Sequence, residues 1–427
     1  MQDMLPFQGL RGICAMAIFL GHQTEMFLLS PWGGGQGIIV GLEFLQAVSL
    51  FFLLSGIPLS RLYSSRTTGK LETWKGCHHF WLKRFARLAP IYYLTLILNF
   101  VILFIICEQM DLLAATTSFV GCAILMQSWF PVSLINVGGV LWQVAVFAFG
   151  YLLFPFLSGR IYHWTDASLY GGILTTWLLS AALWYGFNQW IDPKGFGWWV
   201  WHVHCISRLP HFVAGVLLGE VLERKRGGGN INHRLFGSLT DTLSFLLLLT
   251  AIQAPIVQWY YGLEIRSSIS IGLEAWLLPI HALWLAGIVL AYNQEEEELE
   301  RCSCWTRRVL SFPLLLALGD VSLVLYCIHL VILFLYTSTY AYLTTGDARI
   351  APSIVDYTLR VQTPWWHAPI HWILVISASF AVSKWFEAPL RKRIVATSTQ
   401  NARTVPPPPT TIASAAPSEK TALVSST

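Results

Sequence analysis

Residues 8–22 read QGLRGICAMAIFLGH. The stretch is apolar enough for a membrane helix, yet it carries Arg11 near one end and His22 eleven residues further on. Ionisable side chains inside a membrane are rare, and they face a polar cavity rather than lipid. Eleven residues carry a helix through about three turns plus 20°, so the two side chains share a face, roughly 16 Å apart along the axis. Taken alone, Arg11 suits snorkelling to the headgroups as well as a ligand contact. His22 suits a packed, hydrogen-bonded ring as well as a base. Glu25, one turn beyond on a similar face, is placed to hold the tautomer of the imidazole.

The rest of the chain fits a membrane setting. Of its 427 residues 55% are hydrophobic and only 12% charged, where a soluble domain carries about a quarter charged residues. Apolar runs near membrane-spanning length recur. They predict ten spanning helices at 7–28, 44–62, 89–108, 139–157, 168–186, 208–222, 242–261, 275–293, 313–337 and 369–387. Residues 113–130 are apolar too and read as a re-entrant or interfacial element. With the N-terminus cytoplasmic, eighteen Lys and Arg fall in inside loops and four in outside loops; a full span at 113–130 would scramble that asymmetry. The expected fold is therefore an all-α polytopic integral membrane protein of about ten transmembrane helices, with both termini cytoplasmic. Residues 1–395 form its transmembrane domain, and 396–427 a disordered tail rich in Pro, Ser, Thr and Ala. The lipid bilayer is its partner, and nothing in the pattern suits a nucleic acid.

A second group of charges opens the third segment. KRFARLAPIYYL, residues 83–94, places Arg84 and Arg87 three apart on one face. Guanidinium forks match phosphate oxygens, although a basic helix end also serves as a positive-inside anchor. His367 and His371, four apart, and HVH at 202–204 could ligate a metal; a Trp-rich interfacial belt is the preferred reading, and no metal site is expected. GGGQG, residues 33–37, follows no strand and reads as a loop rather than a phosphate cradle.

Several stretches, in order along the chain, resemble the acyltransferase-3 membrane family. They are LRGICAMAIFLGH (10–22), SLFFLLSGIPLSR (49–61), KRFARLAPIYYL, LWQVAVFAFGYLLFP (141–155), RLPHFVAGVLLG (208–219), GDVSLVLYCIH (319–329) and FEAPLRK (386–392). The resemblance implies a ten-helix enzyme that moves an acyl group, commonly acetyl, from acyl-CoA to a hydroxyl. It implies His22 as base and Arg11, Arg84 and Arg87 as donor-binding groups; Glu25, by its place one turn beyond His22, is the substitute orienter where the family's Glu is missing. Ser322, Tyr326 and Arg208 are candidates for oxyanion or acceptor contacts. Acyl-CoA is a co-substrate, and no bound cofactor is expected. The chain departs from the family at Phe147, where a Glu is frequent, and at His211, again in place of a Glu. The short, nearly uncharged, Trp-rich outer loops favour a small lipophilic hydroxylated acceptor, as in specialised-metabolite synthesis. The competing classes are a transporter using Arg, His and Glu as an ion relay, and a catalytically degenerate family member.

Overall fold

The computed structural model describes residues 2–24, 44–64, 71–106, 111–130, 136–190, 203–226, 232–261, 267–292, 304–347 and 363–404. Among them there is no strand. The helices are α1 (Leu5–Thr24), α2 (Phe44–Tyr63), α3 (Trp74–Phe100), α4 (Leu112–Ala123), α5 (Trp142–Ile161), α6 (Asp166–Trp190) and α7 (Cys205–Arg226). They continue with α8 (His233–Tyr261), α9 (Ser267–Leu290), α10 (Trp305–Leu310), α11 (Pro313–Thr345), α12 (Ala368–Val382) and α13 (Ala388–Thr404). Within the described residues each of the ten expected segments is largely helical. Among the described residues seven stretches are long and apolar enough to cross a membrane, including Gln2–His22, Trp74–Phe104 and Ser322–Thr345. Glu25, the GGGQG loop and most of the Pro-rich tail lie outside the described residues.

Several boundaries differ from the sequence reading, and three of the differences have a plain physical reason. The helix expected at 89–108 begins at Trp74, because the Thr73 side chain accepts from Gly76 N at 3.1 Å and caps it. Its basic first turns are helical, with Phe80 and Ala86 buried and Lys83 exposed; an apolar window cannot see such a stretch. The apolar segment near 113–130 contains a helix of 12 residues, about 18 Å long and too short for a ~30 Å core. The last helix passes through a π turn (Ser383–Glu387) and runs to Thr404, so residues 396–404 of the expected tail are helical. Composition marked the tail by its prolines, and these begin only at Pro406.

Two close helix crossings build the centre. On α7, Gly215 faces Gly56 of α2 and Gly219 faces Ile57 and Ser60; a methyl group at Gly215 would stand 2.6 Å from the Leu53 carbonyl oxygen. On α1, a methyl at Gly12 would stand 2.7 Å from Leu315 O and 2.8 Å from Gly319 N of α11. Small residues at such crossings let backbones touch, which is the main source of helix adhesion in lipid. The second crossing lays the Arg11–His22 face of α1 along the face of α11 that carries Ser322, Tyr326 and His329. A 3-10 turn at Asn136–Leu141 leads into α5, and its Gly139 holds φ 47° and ψ −125°, a conformation that suits glycine. The kink turns the Val140 and Leu141 carbonyls inward, where Tyr326 and Gln127 donate to them.

Candidate active site

A cavity of about 260 Å³ opens among α1, α2, α3, α5 and α11. Its polar wall is Arg11, Arg84, Arg87, Gln143, Ser322 and Tyr326, with Ser55 beside them. Among the described residues no Asp or Glu lines it. The structure thus brings the three arginines predicted to bind the donor onto one space, together with two of the three residues named as oxyanion or acceptor contacts.

Proline explains how two of the walls are held. Pro58 lies inside α2 and has no N–H, so it leaves the carbonyl of Leu54, four residues earlier, without its helical partner. Arg11 Nη2 donates to that oxygen at 2.6 Å. Pro155 inside α5 does the same to Tyr151, and Trp81 Nε1 of α3 donates to Tyr151 O at 3.1 Å. The Arg84 guanidinium lies 5.4 Å from the Phe80 ring centre and 5.8 Å from that of Tyr151, within cation–π range. Its Nε is buried with no hydrogen-bond partner among the described residues.

The three cations act on one another: Arg11 feels the charge of both Arg87 and Arg84. Among the described residues no carboxylate lies within ion-pairing distance of any of them. Glu387, buried in the π turn, acts on Arg87 through space while pairing with Arg391 at 3.1 Å. Phe147, standing where the family often has Glu, lines the cavity and stacks on Tyr151 with ring centres 6.1 Å apart. The departure seen in the sequence therefore leaves the cavity wall without a negative charge at that position.

His22 does not line this cavity. Its Nδ1 lies 3.0 Å from Ile18 O and 3.2 Å from Nε2 of His329. His329 Nδ1 lies 2.7 Å from the Tyr326 carbonyl. A carbonyl only accepts, so His329 carries its proton on Nδ1 and, as a neutral ring, accepts at Nε2. His22 Nδ1 then donates, and the basic lone pair of His22 sits on Nε2. Ile18 O and His329 Nε2 together fix this tautomer, and Glu25, the expected orienter, lies outside the described residues. The Tyr326 and His329 rings are 6.0 Å apart and those of His22 and His329 are 5.1 Å apart. The order from the cavity is therefore Tyr326, His329, His22.

Sequence reasoning missed His329, although it ends the GDVSLVLYCIH stretch, because periodicity does not say which helix α11 abuts. It missed Gln143 as well. Tyr326 donates to Val140 O and Ser322 to Gly319 O, the latter at 2.8 Å, so both hydroxyls are engaged at the cavity wall. Arg208 is not brought to the site. It is fully buried on α7, with Nη1 3.4 Å from Ser49 Oγ and its guanidinium 6.0 Å from the Trp142 ring. His371 stacks on Phe19 at 6.0 Å, and His367 Nδ1 lies 2.6 Å from the Tyr336 hydroxyl. Among the described residues no group of three or more His, Cys, Asp or Glu is arranged to hold a metal. A second space of about 180 Å³ shares Arg84, Leu88, Val144 and Tyr151 with the first, and its remaining wall is mostly apolar or aromatic.

The arrangement can hold a polyanion on three arginines and present a neutral imidazole pair one helical turn beyond the cavity's end. The family model described as an acyltransferase domain, that of the acyltransferase-3 resemblance, matches residues 7–387. The acyltransferase MdmB of Streptomyces mycarofaciens is 34% identical over 153 residues, which are 34% of this chain and 37% of that protein. The chain thus matches little more than a third of that relative's length. No solved structure matches the chain.

Proposed function

The chain belongs to the acyltransferase-3 family, and on that premise we propose that it is an integral-membrane O-acyltransferase using an acyl-CoA, acetyl-CoA first, as donor. The observation that carries this reading is the cavity walled by Arg11, Arg84 and Arg87 with no carboxylate partner. Half-buried cations without a counter-charge among the described residues carry a desolvation cost, and a phosphorylated donor offsets it on binding. Arg11, Arg84 and Arg87 hold its phosphates from the cytoplasmic side, and its arm runs toward Tyr326. His22 Nε2 takes the proton of the acceptor hydroxyl, with His329 fixing the ring. The oxygen attacks the thioester carbonyl and the C–S bond breaks. The thiolate takes the proton back from His22, so free thiol and ester leave together.

The acceptor is a small lipophilic alcohol, consistent with specialised-metabolite synthesis. The short, nearly uncharged, Trp-rich segments between the apolar runs support this, because they offer an uncharged acceptor an apolar approach. The test incubates membranes carrying the protein with labelled acetyl-CoA and a metabolite extract. Label is expected in a lipophilic ester with the wild type, and to be lost with His22→Ala and with Arg11→Ala. Transfer retained in both variants, or solute flux without any transfer, would overturn the reading.

A further inference from the structure

Gln143 stands one residue into α5, is 1% exposed and lines the arginine cavity. Its Oε1 and its Nε2 are both buried without a hydrogen-bond partner among the described residues. Buried polar groups are nearly always satisfied, and an orphaned pair on one side chain asks for a missing partner. A side-chain amide offers an acceptor and two donors at once. A phosphate or a developing oxyanion accepts only, and would leave Oε1 unsatisfied. A trans secondary amide holds its C=O and N–H on opposite edges, so its C=O takes Nε2 and the N–H of a second amide, two methylenes away along the same arm, completes Oε1.

Its place along the cavity fits the same partner. Gln143, Phe147 and Tyr151 follow one another at intervals of four on α5, and all three line the cavity. Eight residues set Gln143 about 12 Å from Tyr151 along the axis, and Tyr151 carries the Arg84 guanidinium against its ring. In a phosphopantetheine arm the outer amide lies roughly ten bonds from the phosphorus, about 12 Å when extended at the rise of an extended chain. With phosphate on Arg84, that amide reaches Gln143 and the thioester lies just beyond. Tyr326, bonded to the neighbouring Val140 carbonyl, stands there.

We propose that Gln143 pairs with the amides of a phosphopantetheine arm, and so selects a pantetheine thioester, carried on CoA or on a carrier protein, over other acyl donors. The proposal rests on the acyltransferase reading above. Binding to the purified, lipid-reconstituted protein tests it without requiring turnover, with CoA, holo acyl carrier protein and inorganic pyrophosphate as probes. Gln143→Leu is expected to weaken the pantetheine-bearing probe that binds wild type by about tenfold, the worth of two neutral hydrogen bonds, and to leave pyrophosphate unchanged. Gln143→Ala is the second variant should the leucine not fit. Which of CoA or carrier protein binds wild type names the source of the arm. Unchanged affinity in a folded variant, or parallel losses for pantetheine probe and pyrophosphate, would overturn the proposal. Wild-type protein that binds none of the three probes would instead overturn the donor site on which it depends.

Discussion

Two sets of arginines lie at the same end of the bundle and meet opposite fates. Arg61 closes on Asp3 at 2.6 Å and on Glu223 at 3.2 Å, and Arg224 on Glu220 and Asp166 at 2.9 Å each. These pairs tie the first turn of the chain, α2, α6 and α7 together. Leu59 and Leu62, either side of Arg61, line the cavity, so the paired set adjoins the unpaired one. Yet Arg11, Arg84 and Arg87 have a backbone carbonyl, aromatic faces and one another, and no carboxylate. Removing one partner of a buried ion pair strands the other charge. Removing a cation from a like-charged group relieves repulsion. The first set holds the fold, and the second waits for an anion.

The contrast breaks most sharply in catalysis. His22→Ala should lower acyl transfer by about 10²–10⁴-fold, the usual worth of a positioned base, while CoA binding to the arginines persists; matched turnover and binding assays check this. Next in size is Arg61→Ala, which leaves Asp3 without this ion pair and should cost roughly 3–5 kcal/mol of stability. Denaturation in detergent would show it as loss of folded protein rather than as a change in donor KM. Arg84→Leu should do the reverse. Donor affinity should fall by about ten- to a hundredfold, as for a lost charge-assisted hydrogen bond of ~1.5–3 kcal/mol, with stability held or raised. A smaller effect belongs to Glu387→Gln. Its charge acts on Arg87 and pairs with Arg391, so the variant should bind CoA a few-fold more tightly and melt lower, as a lost surface-like pair of about 1 kcal/mol would. Weaker binding there would mean that Glu387 orients Arg87 rather than competing with the donor.

Much of this was legible in the sequence. The apolar runs located the long apolar helices among the described residues, and the positive-inside count kept residues 113–130 out of the spans, where the structure has a short helix. Shared faces could be read for Arg11 with His22 and for Arg84 with Arg87, since helical geometry alone fixes them. What could not be read was contact between helices. The α1–α11 crossing depends on Gly12 meeting Gly319, and no periodicity announces which glycines will meet. His329, which the crossing brings to His22, was therefore invisible as a partner. Pro58 was visible as a helix oddity, but its consequence, a released Leu54 carbonyl holding Arg11, needed the neighbouring helix. Arg208 shows the converse: a charged residue in a family-like stretch that the fold buries away from the cavity.

The most direct test of the unpaired-arginine account is equilibrium binding of CoA to the lipid-reconstituted protein, comparing wild type with the double variant Arg84→Leu, Arg87→Leu and with Arg224→Lys as a paired-set control. The account predicts saturable binding by wild type and by the control, and its loss in the double variant while the variant remains folded. Undiminished CoA binding by the folded double variant would contradict it.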